Sequence, residues 1–260
     1  MPAAIRLQEE YGDKIQVLLV ECQNSSDKEI VKKQLMYKWL GGNAAWTKER
    51  PFRVDSPGLP YFALLDADGR VVMTGLTNSM HTQIKESIAE MVKNAKKAPA
   101  DLPKPVGKAV VDIRKGEYVK ANAVLAKLIE KPGGSDPAAL QAAAQTAQTQ
   151  LLAAAEGELK RAQWMAKNGY PVAAMDLHKS LAKRAKGLPG LQEQLKELGD
   201  MLTSADMKDE VSAAKELNKL ESKFYEDYKG KYRKKFLKIA EKYGSTAVAA
   251  RATWWAQFAM

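Results

Sequence analysis

Few residues in this 260-residue chain are of types that do chemistry. Cys22 is its single cysteine, so neither an internal disulfide nor a Cys-rich metal site can form. Its two histidines, His81 and His178, stand far apart without ligand types beside them and read as surface or capping residues. Asp66 and Asp68 share one short turn. A calcium loop spreads its ligands over about twelve positions, so the pair is turn chemistry. The expectation is no metal and no cofactor.

Two further positions qualify as candidates. Cys22 follows the apolar run of residues 15–20 (IQVLLV), at the strand end where open α/β sheets bind ligands. It is either a reactive thiol or, the favoured reading, a small half-buried hydrophobe. Leu59-Pro60 precedes a second apolar run, as a turn proline at the start of an edge strand does.

The elements that would position these residues alternate over the first ninety-odd positions. Residues 3–11 form a short amphipathic helix closed by Gly12. The run 15–20 suits a strand buried on both faces. Ser26, with Glu29 three positions on, opens a second helix that stops at Gly41-Gly42. A polar loop leads into GLPYFALLDADGRVV, two strand-like runs about an Asp-Gly turn, a strong hairpin signal. Asn78 or Ser79 starts a last helix carrying Ile84, Ile88, Met91 and Val92 at helical spacing. Strands alternating with helices indicate an α/β layer structure.

Residues 94–107 (NAKKAPADLPKPVG) hold three prolines without an apolar period and read as a linker. Residues 108–260 read as helical throughout, rich in Ala, Leu, Lys and Glu. Gly116-Glu117-Tyr118, Gly169-Tyr170 and Gly230-Lys231-Tyr232 echo one another at spacings of 53 and 61 residues. The echo resembles half of a tetratricopeptide-type hairpin, although its spacing is too irregular for a strict array.

Charge is uneven. Residues 1–100 carry 14 Lys/Arg against 12 Asp/Glu, and the remainder carries 27 against 19, so most of the net +10 lies in the helical part. The segment FYEDYKGKYRKKFLKIAEKYG interleaves aromatic and basic residues. A helix that packs its aromatics and solvates its lysines explains it better than nucleic-acid binding, and an acidic protein or anionic surface comes next. The apolar ending ATWWAQFAM reads as docking onto the last hairpin. No run approaches the roughly 18 apolar residues that span a bilayer, and the first residues lack a signal-peptide pattern.

Residues 1–93 resemble a thioredoxin-like domain of the extracytoplasmic thiol–disulfide oxidoreductase type. MPAAIRLQEEYGDKIQVLLVE is similar to the end of that family's active-site helix and the strand after it. GLPYFALLDADGRVVMTG is similar to its cis-proline loop and hairpin. The resemblance implies an extracytoplasmic location and a groove in which Leu59 and Pro60 bind an extended substrate peptide. It also implies a first strand and a Cys-x-x-Cys turn before Met1, so the chain reads as starting inside the motif. There a helix N-terminus would activate one thiol. The sequence as written has no Cys-x-x-Cys and cannot cycle a dithiol.

The expected fold is therefore a thioredoxin-like α/β domain over residues 1–93, a linker over 94–107 and an all-helical domain over 108–260. The expected activity is thiol–disulfide exchange on client proteins, given an upstream dithiol. The alternative is a non-catalytic interaction or scaffold subunit with a basic helical docking domain. In both, the partners are protein clients or a protein assembly, and nucleic acid is a distant third.

Overall fold

The structure, a computed structural model, describes residues 2–11, 14–21, 44–46, 52, 60–66, 69–95, 97–226 and 230–259. The chain divides into two compact units, residues 1–97 and 98–260.

In the first unit, α1 (Pro2–Tyr11) is followed by β1 (Leu19–Glu21) and β2 (Ala44–Trp46). The two strands pair in parallel, Leu19 opposite Ala44 and Glu21 opposite Trp46. The Gln8 side chain ties α1 to the segment before β1: its Nε2 donates to the Ile15 carbonyl at 2.7 Å and its Oε1 accepts from the Val17 amide at 2.6 Å. The hairpin stands as expected, with β3 (Tyr61–Leu65) antiparallel to β4 (Val71–Leu76). Its turn closes through the Asp66 carboxylate, which accepts from the Arg70 amide at 2.9 Å, and through Gly69 at φ +78°. Helix α2 (His81–Asn94) then buries Ile88. It starts two or three residues later than the sequence indicates. Asn78 and Ser79 form a turn instead, and the Ser79 hydroxyl donates to the Leu76 carbonyl at 3.1 Å.

These elements overturn the expected thioredoxin-like α/β domain. Among the described residues, β1–β2 and β3–β4 are two separate two-stranded ladders, and no hydrogen-bonded pairing joins them into one sheet. The run 15–20 is not a strand buried on both faces either. Only Leu19 and Val20 of it are in β1. Before them, half-buried Ile15 and Val17 alternate with exposed Gln16 and Leu18, the last 57% exposed. Alternation with period two marks a segment covered on one side only. The helix expected from Ser26 to Gly41 lies outside the described residues.

The second unit is helical, as the sequence indicates. Its elements are α3 (Lys104–Arg114), α4 (Tyr118–Glu130), α5 (Pro137–Lys167), α6 (Pro171–Arg184), α7 (Gln192–Thr203), α8 (Ala205–Glu226), α9 (Lys231–Tyr243) and α10 (Ala247–Phe258). The proline-rich stretch 94–107 is not linker throughout, since α3 begins at Lys104 with Pro105 in its first turn. Proline is tolerated there because the first-turn amides have no partner within the helix. Helix α5 is long because Ala and Gln dominate it, and Asp136 caps it by accepting from the Ala139 amide at 3.0 Å.

One core runs from Val106 through Leu125, Leu151, Leu159 and Leu181 to Leu202, with small residues such as Ala121, Ala155 and Ala174 at the close approaches. An aromatic group sits under the last helices. Phe224 lies 5.3 Å from Phe236 and 5.9 Å from Trp255 between ring centroids. The apolar C-terminal segment is therefore seated on α8 and α9, through Trp255.

Candidate functional site

The residues singled out in the sequence do not form a site. Cys22 and Leu59 lie outside the described residues. Pro60 is exposed at the bend before β3, and its carbonyl accepts from the Thr77 amide at 3.0 Å. His81 is half-buried at the start of α2. His178 stands on α6 and faces α7, its Nε2 2.8 Å from the Leu195 carbonyl oxygen. Among the described residues, no group of three His, Cys, Asp or Glu side chains could hold a metal ion. No helix among them is long and apolar enough to cross a membrane.

What the fold does assemble is a pair of matching ionic clamps in the helical unit, built on the first two members of the Gly-Tyr echo. In the first, Gly116 turns the chain between α3 and α4 at φ +72°. Arg184, at the end of α6, packs against that turn: a Cβ on Gly116 would lie 2.8 Å from its Nη1. Its guanidinium stands 5.3 Å from the Tyr118 ring centre and grips the Glu158 carboxylate of α5 with two nitrogens, Nη1 donating at 2.9 Å. The buried Tyr118 hydroxyl donates to the same carboxylate at 2.6 Å.

The second clamp repeats these parts on later helices. Gly169, at φ +78°, turns the chain between α5 and α6. Arg251 of α10 donates to the Gly169 carbonyl at 2.5 Å and stacks over the Tyr170 ring at 4.0 Å. Its Nε and Nη2 hold the Glu221 carboxylate of α8, and Nη2 also donates to Asn218 at 2.7 Å. A planar guanidinium suits this role because it can grip a carboxylate with two donors while its face covers a ring.

The clamps differ in one respect. Tyr118 is buried, whereas Tyr170 is 38% exposed and stacks its other face on Trp164 of α5, with centroids 5.9 Å apart and planes within 19°. Sequence reading found the glycines and tyrosines of the echo but missed Glu158, Arg184, Glu221 and Arg251. Those residues are 26 to 82 positions from their partners in the chain.

Electrostatics set the first clamp. Burial pushes the Tyr118 phenol up to about 12, and the bond to Glu158 works in the same direction. Burial also acts to raise Glu158, but the hydrogen bonds from Arg184 and Tyr118 outweigh it and hold the carboxyl below its ordinary value. Each polar group of this network has a partner, and a fully paired network of this kind rigidifies the packing of its helices.

The other organised feature is the outer face of α9. Lys231, Lys234, Lys235, Lys238 and Lys242 share one exposed stripe, while Tyr232, Phe236 and Ile239 are buried on the side next to it. Glu216 of α8 meets one end of the stripe, accepting from Lys242 at 2.8 Å and from the Tyr243 hydroxyl at 3.0 Å. These bonds hold Glu216 below its ordinary range and Lys242 above its own. Helical spacing puts exposed Lys219 and Lys223 on the Glu216 side of α8. Comparison with known proteins adds nothing to this geometry: no protein-family model, curated protein or solved structure matches the chain at a significant level.

Proposed function

We propose that this chain is a non-catalytic interaction subunit whose helical unit docks an acidic protein partner on the α8–α9 hairpin. The lysine stripe of α9 carries the reading. Like charges at helical i,i+3 and i,i+4 spacing each destabilise a helix by about 0.2–0.5 kcal/mol. Glu216 answers the stripe at the Lys242 end, at 2.8 Å. An opposing row of carboxylates would relieve that repulsion and gain both steering and register.

The chemistry of the stripe favours protein over the other polyanions. Its cations are lysines, which lack the fork that grips phosphates and guanine edges. Tyr232 and Phe236 are buried beneath them, and half-buried Tyr243 is engaged by Lys242 and Glu216, so the stripe lacks the row of open rings that successive bases stack on. The apolar side of α9 is already spent on the core, and the single exposed Leu237 is too little to seat the helix in a bilayer. Thiol exchange loses its support with the single sheet that was to carry it.

The test is binding of fluorescein-labelled polyglutamate, measured by anisotropy over a range of salt concentrations. Charge reversal of Lys234, Lys235 and Lys238 to Glu should weaken binding at least tenfold, with the far-ultraviolet circular dichroism unchanged. Equal affinity in the reversed variant would sink the proposal. So would tighter binding of poly(U) or of phosphatidylserine vesicles than of polyglutamate.

A further inference from the structure

We infer that the open face of Trp164 is a second contact locus: an anchor that receives a tyrosine, phenylalanine or proline side chain from an acidic protein segment. The inference takes the acidic class of partner from the docking reading above, while the site itself stands on separate observations.

Trp164 is 57% exposed on α5, a large aromatic surface that the fold leaves uncovered. It is also backed by a braced stack. Its inner face stacks on Tyr170, and the far side of Tyr170 is covered by the Arg251 guanidinium. Arg251 is itself fixed by Glu221, Asn218 and the Gly169 carbonyl. The Tyr170 amide donates to the Met165 carbonyl at 2.9 Å, and the Asn168 side chain donates to the Trp164 carbonyl at 2.7 Å. A ring already braced in this way loses little freedom when a partner covers it, which is what makes an aromatic residue an effective anchor.

Charge selects the partner. Lys160, Arg161 and Lys167 lie four and three residues before Trp164 and three after it, all exposed, so they surround the ring on the helix surface. Arg251, two rings down the stack, draws electron density away from the open face. Both effects oppose a cationic guest, although a bare Trp face would normally attract one. They favour an uncharged ring with carboxylates on either side of it. A flat, exposed ring suits a macromolecule better than a small ligand, which takes a concave site. A single-stranded nucleic acid needs successive stacking faces along a basic track. Here Tyr170 is already engaged by Trp164 and Arg251, and Trp164 is the one broadly exposed ring of the stack.

The test uses the full chain labelled with ¹⁵N and two 12-residue peptides of Glu and Asp, one with a central Tyr and one with Ala there. The Trp164 indole N–H cross-peak is assigned by its loss in Trp164→Phe. The Tyr peptide should move that peak and bind at least fivefold more tightly than the Ala peptide. The gain should vanish in Trp164→Ala and fall in Lys160→Glu/Lys167→Glu. It should persist when Lys234, Lys235 and Lys238 are reversed, which separates this locus from the lysine stripe. Equal binding of the two peptides, or a Trp164→Ala variant that keeps the gain, would overturn the anchor. A larger shift with poly(U) than with the Tyr peptide would overturn the partner class.

Discussion

Tyr118 shows how one buried hydroxyl ties stability to pH. The folded protein holds the phenolic proton more tightly than the unfolded chain does, up to about 12 against the model-peptide value of 10.0. That contribution is fully present below about pH 10 and is lost as pH rises through about 12. Glu158 works in the opposite window. Its folded value is depressed, so its contribution is present above the ordinary carboxyl range and is lost as pH falls through the lower folded value. Tyr118→Phe should cost about 1 kcal/mol at pH 8 through the lost hydrogen bond. Urea unfolding of both proteins between pH 8 and 12 should show that gap shrinking above pH 10. A gap constant across the window would mean that Tyr118 does not titrate as its burial requires.

At the scale of the element, the turns decide how the helices close on one another. Gly169 is the turn glycine crowded by backbone rather than by a side chain. Its φ of +78° is left-handed, and a Cβ there would lie 2.9 Å from the Ala247 carbonyl oxygen and 3.0 Å from its carbon. Backbone cannot step aside as a side chain end can. Gly134, at φ +91°, faces open space. Gly134→Ala should therefore cost about 1–2 kcal/mol for the left-handed backbone alone. Gly169→Ala should cost clearly more, because the α10 start is also pushed away and Arg251 loses its seat. Thermal unfolding of the two variants side by side checks this, and equal losses would show that the α10 contact carries no weight. The lysine face of α9 belongs to the same scale. Its buried side fixes which way the lysines point, so the docking surface is a consequence of packing Tyr232, Phe236 and Ile239 inward.

At the scale of the molecule, the chain is two units with different means of support. The helical unit has a continuous core from Val106 to Leu202 and an aromatic group joining α8, α9 and α10. The described part of the first unit has two short ladders and few buried side chains, Leu7 and Ile88 among them. A fragment of residues 98–260 should accordingly fold alone and melt at the temperature of the helical transition in the full chain. Circular dichroism at 222 nm would measure both. A fragment that melts broadly at low temperature would show that the helical unit depends on residues 1–97.

The sequence by itself determined what depends on neighbours a few residues apart. The hairpin around Asp66 and Gly69, the capped Ala-rich helix and the inward aromatics of α9 are local patterns of turn chemistry, propensity and period. The excess of positive charge in the second half was equally plain. The tertiary structure alone decided what depends on distant pairing. A strand-like run such as residues 15–20 does not state which ladder, if any, it joins, and among the described residues no pairing joins the two ladders, which overturned the expected α/β sheet. Likewise Arg184 and Arg251 read in sequence as two more surface cations. Only the folding of α6 against α4 and α5, and of α10 against α8, brings each to its tyrosine and glutamate. The same packing leaves Trp164 with one ring face covered and the other open, because exposure is a property of what the chain places nearby rather than of the residue itself.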